Sequence, residues 1–203
     1  MLIGELSMRD KALKNHKTSY APQLKTHGGY MVKRIVEQAK QVPINAVPIG
    51  WDSEEIIFPG VDTCLAIGVV GSSEAGKMLV GMHLGMFKGE YVKGNSALVD
   101  NAYLELCLYM MRAHFSLKCK KVKHIYIAGP FDFWRGSSEL LSLFTIIKAK
   151  LEDWRKKTKA EIVVWDTSEV PGGTVDVHLV DDRMTFYGSG NKNEVAALAE
   201  KWV

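Results

Sequence analysis

The chain has 203 residues, 47% hydrophobic and 24% charged, with a formal net charge of +3. Its five Trp, seven Tyr and seven Phe give it ample surface to bury, which excludes a disordered or low-complexity chain. So small a net charge gives no support for a nucleic-acid or membrane-surface partner. Three cysteines, Cys64, Cys107 and Cys119, cannot all pair with one another, and no Cys-x-x-Cys is present. This argues for a reducing environment, and against a disulfide scaffold or a thiolate zinc site.

Residues 1–28 are polar, rich in Lys and without periodicity, and read as a loosely packed arm; residues 29–203 then form a single domain. Met1–Asp10 carries Glu5 and Asp10 and no apolar core, so it does not read as a secretory signal. Tyr30–Lys40, with Met31, Val32, Ile35, Val36 and Ala39, predicts a modest amphipathic helix. Pro43 and Pro48 follow, then a short strand at Glu54–Phe58 that ends at Pro59-Gly60.

Thr63–Val70 is a near-continuous apolar run of strand type, Gly71–Gly76 is turn-like, and Lys77–Phe87 is a second apolar run. Gly81 and Gly85 argue against a helix in the second run, so the pair reads as a hairpin whose strands are buried on both faces. Ser96 is a candidate N-cap for a helix to about Leu117 that is apolar around most of its circumference. Its most apolar part, Ala102–Phe115, contains Glu105, Arg112 and His114 and is too short and too charged to span a membrane.

His124–Ala128 is a strand closed by Gly129-Pro130, and Ser137 or Ser138 caps a third helix with the stripe Leu140, Leu141, Phe144, Ile147, Leu151 and Trp154. Ile162–Trp165 is a strand, Thr174–Val180 and Met184–Tyr187 form a hairpin around Asp181-Asp182, and Asn193–Val203 reads as a terminal helix. The basic runs Lys118, Lys120, Lys121, Lys123 and Arg155, Lys156, Lys157, Lys159 each follow a helical pattern, where cations offset the helix dipole. Strands in runs with helices between them predict an α+β layered sandwich, with a mixed, largely antiparallel central sheet flanked by helices.

Chemistry centres on two residues of the predicted hairpin. Folding it about its turn brings Cys64 opposite a position near His83. A thiol beside an imidazole can form a thiolate–imidazolium pair, a nucleophile with its own acid and base. The plainer reading is a buried Cys packed beside a core His.

Gly71-Ser-Ser-Glu-Ala-Gly76-Lys77 also resembles a phosphate loop, with Ile162–Asp166 as its partner strand. Met78 stands where a Mg²⁺-binding hydroxyl belongs, and the glycines spoil the helix that should hold phosphate. His114 and His124 have no carboxylate at ligand spacing, and Asp176 and His178 share one strand face. Asp132, Trp134 and Arg135 sit in the loop after a strand, a position that often holds functional groups.

From about Ile56 to about Tyr187 this layout resembles the chemotaxis-type glutamine deamidases and the catalytic domains of cytotoxic necrotizing factor-like toxins. The resemblance is carried by Pro59-Gly-Val-Asp-Thr-Cys64, Leu79-Val-Gly-Met-His83, Gly129-Pro-Phe131 and Val164-Trp-Asp-Thr167, in that order with the intervening helices and the closing hairpin. It implies Cys64 as nucleophile and His83 as its base, acting on a protein glutamine amide without metal or organic cofactor. The chemotaxis enzymes carry Leu-Gly-Ser-Cys and a hydroxyl residue six places before the Cys; here the turn is Val-Asp-Thr-Cys and position 58 is Phe. Thr63 or Asp62 is then the candidate for the missing polar member, with Thr63 the choice for the catalytic set.

The expected protein is a monomeric hydrolase acting on a surface glutamine of another protein, a host protein if the source is pathogenic, with no nucleic acid or membrane partner. It would work in the cytoplasm, or in a host cytosol reached without a signal peptide. Another thiol hydrolase, such as a protease or transglutaminase-like enzyme, or a non-catalytic protein-binding module are the alternatives.

Overall fold

A computed structural model describes residues 34–35, 49–52, 54–74, 76–85, 87–88, 97–188 and 194–200. The arm expected at residues 1–28 lies outside them. Strands β1 (Arg34–Ile35), β2 (Ile49–Asp52), β3 (Glu55–Val61), β4 (Leu65–Ser73), β5 (Gly76–Leu84), β6 (Phe87–Lys88) and β7 (Ala97–Leu98) precede helix α1 (Asn101–Lys118). Then come β8 (Lys121–Gly129), α2 (Phe131–Arg135), α3 (Ser138–Thr158), β9 (Glu161–Asp166), β10 (Val175–Val180), β11 (Arg183–Gly188) and β12 (Leu198–Glu200).

The larger sheet has six strands in the order β12-β9-β8-β4-β5-β2, and a second has four in the order β1-β3-β10-β11. In the larger sheet β8 and β9 run parallel and the other pairs antiparallel, as expected of a mixed sheet. The sheets pack face to face. Ile56, Phe58, Val175, Val177, Leu179 and Phe186 of the smaller meet Ala66, Val70, Leu79, Tyr126 and Ala128 of the larger in one buried cluster. Helices α1 and α3 cover the other face of the larger sheet. The protein is thus the α+β sandwich its element order predicted, in three layers.

Central strands β4 and β5 are apolar on both faces because one looks into the sheet–sheet core and the other into the helices. Gly68 and Gly81 are directly paired. A Cβ on Gly68 would come within 2.6 Å of Leu179 Cδ2, and one on Gly81 within 2.6 Å of the Phe58 ring. Side chains at this pair would hold the sheets apart, so glycine here is a packing requirement.

Several expectations change. Pro59-Gly60 does not end β3. Gly60, at φ +63°, donates its N–H to Asp176 Oδ1 at 2.8 Å, and the register against β10 slips between Val175 and Val177. Together these make a β-bulge, which admits a proline and a left-handed glycine inside a strand.

Arg34–Ile35 pairs parallel with Ile56–Ile57 rather than lying in a helix, and the rest of that predicted helix lies outside the described residues. Asp100 caps α1, accepting from Tyr103 N at 2.8 Å, and Ala97–Leu98 is strand rather than first turn. The terminal helix is replaced at Leu198–Glu200 by β12, which completes the edge beside β9.

Ser137 caps α3 as expected, but Leu141 of its predicted stripe is 44% exposed and Leu143 is buried instead. The first basic run splits. Lys118 closes α1, whereas Lys121 and Lys123 lie in β8, where Lys123 pairs with Asp182.

Candidate functional site

The hairpin of β4 and β5 turns tightly, with Ser73 opposite Gly76. That register sets His83 against Ala66, not against Cys64 as a looser turn would have it. Cys64 lies in the bend just ahead of β4, in which period-2 alternation puts Ala66, Gly68 and Val70 on one face. That face meets the smaller sheet, as does His83, whose ring lies edge-on to Phe58 with centroids 6.1 Å apart. The ladder opens with Leu65↔Leu84 and Ala66↔His83, so Cys64 stands just before it at the sheet end where His83 lies. Cys64 is 2% exposed and His83 0%.

Three structural devices fix the chain at Cys64. Asp62 Oδ1 accepts the Thr63 N–H at 2.6 Å and the Thr63 hydroxyl at 3.1 Å. The Thr63 carbonyl accepts the indole N–H of Trp134 at 3.1 Å. On the third side, a Cβ at Gly129 would come within 2.6 Å of the Cys64 carbonyl oxygen, so the end of β8 packs directly on this peptide. Thr63 Oγ1 stands 4.0 Å from Cys64 Sγ. The structure therefore places the sequence candidate Thr63 beside the thiol, with its hydroxyl held by Asp62.

Phe58, the position six places before Cys64, is where the resemblance asks for a hydroxyl. It occupies the space beside His83, but as an aromatic edge with no oxygen to offer the imidazole.

Asp166 behaves differently from the phosphate-loop reading. Its buried carboxylate accepts from Phe131 N at 3.2 Å, Ser168 N at 2.8 Å and Ser168 Oγ at 2.6 Å. It braces the turn that carries Trp134. Gly71–Ser73 and Gly76–Leu84 form the hairpin ladder, so no helix N-terminus follows the loop to hold phosphate. Among the described residues no cluster of His, Cys, Asp and Glu is placed to hold a metal.

The remaining candidates disperse. His124 stacks edge-on against Tyr126 and lies 3.4 Å from Glu161, at the opposite end of the ladder from Cys64. His178 Nδ1 meets Glu55 Oε1 at 2.8 Å across β10 and β3, with the Tyr187 ring 4.6 Å away. That face of the smaller sheet is the one opposite its core. Burial pushes the Cys107 thiol up to about 12, so it stays protonated at neutral pH. Trp134, expected in a loop, lies instead on α2 and donates to the Thr63 carbonyl. In sequence alone, an indole donor marks no particular acceptor.

No protein-family model matches the chain, and a search of curated proteins found no match. No helix among the described residues is long and apolar enough to cross a membrane.

Proposed function

We propose that the protein is a cysteine hydrolase of glutamine deamidase type, with Cys64 as nucleophile and His83 as its base. What supports this reading is that Cys64 immediately precedes β4 at the end of the hairpin ladder where His83 pairs with Ala66. The resemblance in element order gives the reaction class.

Sγ attacks the glutamine carboxamide carbon as the thiol proton passes to His83. The tetrahedral oxyanion then collapses, and the imidazolium protonates the departing nitrogen, which leaves as ammonia. Water adds to the resulting thioester with His83 again taking its proton. Collapse expels the thiolate, which recovers a proton, and leaves a glutamate carboxylate. The substrate is a glutamine on another protein, presented on a segment extended enough to reach a thiol that lies below the surface.

The test is ammonia release from glutamine-bearing proteins, with a mass gain of about one dalton per site as amide becomes acid. Cys64→Ser is nearly isosteric and is expected to abolish it, because a hydroxyl beside an imidazole is a far weaker nucleophile than a thiol. Full activity in that variant against a confirmed substrate would place the nucleophile elsewhere.

A second reading has its own observation. Position 58, where the resemblance asks for a hydroxyl, is an aromatic ring beside His83, and both Cys64 and His83 are buried. This favours a protein-binding module that has kept the layout without the chemistry. Such a module would show a Cys64 thiol no more reactive than an ordinary buried cysteine.

A further inference from the structure

Trp134 is fully buried on the short helix α2, and its indole donates to the Thr63 carbonyl at 3.1 Å. That carbonyl belongs to the peptide bond whose nitrogen is Cys64 N. The bond is trans, so its N–H points to the opposite edge of the plane from its C=O. A donor that fixes the carbonyl thereby fixes where the Cys64 N–H points, and with it the origin of the Cα–Cβ bond that carries Sγ. The indole is itself held. Asp166 binds the Phe131 N–H at the start of α2, and the Asp132 N–H donates to Ser168 Oγ at 3.1 Å. Gly129 closes the next peptide from the other side, where a side chain would strike the Cys64 carbonyl.

We propose that Trp134 is a positioning residue for the nucleophile. Its indole N–H locks the Thr63–Cys64 peptide plane, so that thiolate and backbone donor keep the orientation an incoming carbonyl needs. The inference rests on the Cys64–His83 reading and adds a residue to it. Nucleophiles in acyl transfer commonly use their own backbone N–H toward the oxyanion, and an error of about 1 Å in such a site can cost about a hundredfold in rate.

Two small probes separate orientation from thiolate content. With p-nitrophenyl acetate, Sγ adds to the ester carbonyl carbon, the C=O pair moves onto oxygen, and its return expels p-nitrophenolate; the thiol proton stays on His83. With iodoacetamide, Sγ displaces iodide from carbon and no oxyanion forms. Trp134→Phe keeps an aromatic ring and removes the donor together with the second ring's volume, so its thermal stability is measured alongside. It is expected to slow Cys64-dependent acylation about tenfold or more while leaving alkylation within about twofold of wild type.

Equal slowing of both probes, or no slowing of either, overturns the lock and leaves the indole a packing residue. If acylation of the wild type is unchanged in Cys64→Ser, the thiolate reading itself falls and takes this inference with it. Should Trp134→Phe fail to give a cooperative thermal transition, Gly129→Ala displaces the Cys64 carbonyl from the β8 side. The same split between probes is expected there, and its absence is equally decisive.

Discussion

An imidazole serves as a base only in the tautomer and orientation its neighbours impose. At His83 the β3 neighbour is the Phe58 ring, which offers no lone pair. Phe58→Thr supplies a hydroxyl six places before Cys64, as the resembled enzymes have it. The truncated core is expected to cost about 3 kcal/mol in unfolding free energy, the size of other large-to-small core changes. Acylation by p-nitrophenyl acetate is expected to rise in the same variant, by about tenfold if the hydroxyl orients the ring. A less stable protein that acylates faster would be hard to explain by packing. One that is less stable and slower removes position 58 from the mechanism.

Cysteine labelling sets exposure against activation. Cys119 is half-buried, Cys64 is 2% exposed, and burial pushes Cys107 up to about 12. With ordinary thiols, Cys119 would react first. An activated Cys64 reverses that order despite its burial, because the thiolate is the reacting species. Peptide mapping after brief iodoacetamide treatment near neutral pH reads it, with Cys107 unlabelled in either case. Preferential modification of Cys119 would favour the binding-module reading.

Between elements, the Gly68–Gly81 pair sets how closely the sheets approach. Alanine in a strand would ordinarily gain about 0.5–1 kcal/mol through the unfolded chain. Against that, overpacking typically costs about 1–3 kcal/mol. At Gly81 the obstacle is the rigid Phe58 ring, whereas at Gly68 it is a Leu179 methyl at the far end of a flexible side chain. Gly81→Ala is therefore expected to destabilise by about 1–2 kcal/mol and Gly68→Ala by less, as chemical denaturation will show. Equal effects would mean the sheets adjust as rigid bodies.

These glycines also show what the sequence made legible. They correctly ruled out a helix over residues 77–87, and the hairpin followed. The register is two residues off because Gly71 and Ser72, turn-like in isolation, continue β4 when β8 lies alongside. Pro59-Gly60 misled for a related reason. A local turn signal was overridden by an aspartate far along the chain, Asp176, which accepts the Gly60 N–H. The hairpin itself could be read from spacing because it is local, though not its register, which sets His83 against Ala66. The Trp134–Thr63 bond and the Asp166 brace join segments far apart in sequence, and no periodicity announces such contacts.

At the scale of the molecule, two buried acids predict where stability fails. Burial raises Cys107 from 9.0 to about 12 and, with Asp182 and Glu161 nearby, Tyr126 from 10.0 to about 12. In the unfolded chain both release protons earlier than in the folded one. Below the unfolded values both states hold the proton and the full stability is present. As pH rises past about 9 the unfolded state loses protons that the folded state keeps, so stability falls toward about 12, by about 1.4 kcal/mol per unit for each such proton. Denaturation midpoints measured across this window are expected to decline from about 9 upward, and Cys107→Ala to delay the onset until Tyr126 begins to ionise near 10. A midpoint flat through the window would show that these groups ionise without unfolding.

Strand β4 lies between β5 and β8, and of its first seven residues, Leu65–Gly71, none reaches solvent. A hydrogen on such an amide meets deuterium only when the whole sheet comes apart, whereas edge amides exchange through small local openings. Exchange along Leu65–Val70 should therefore clock global unfolding. Cys64 stands just ahead of this doubly flanked strand, so on the proposed reading any motion that admits a substrate is expected from the segments around Cys64 rather than from β4.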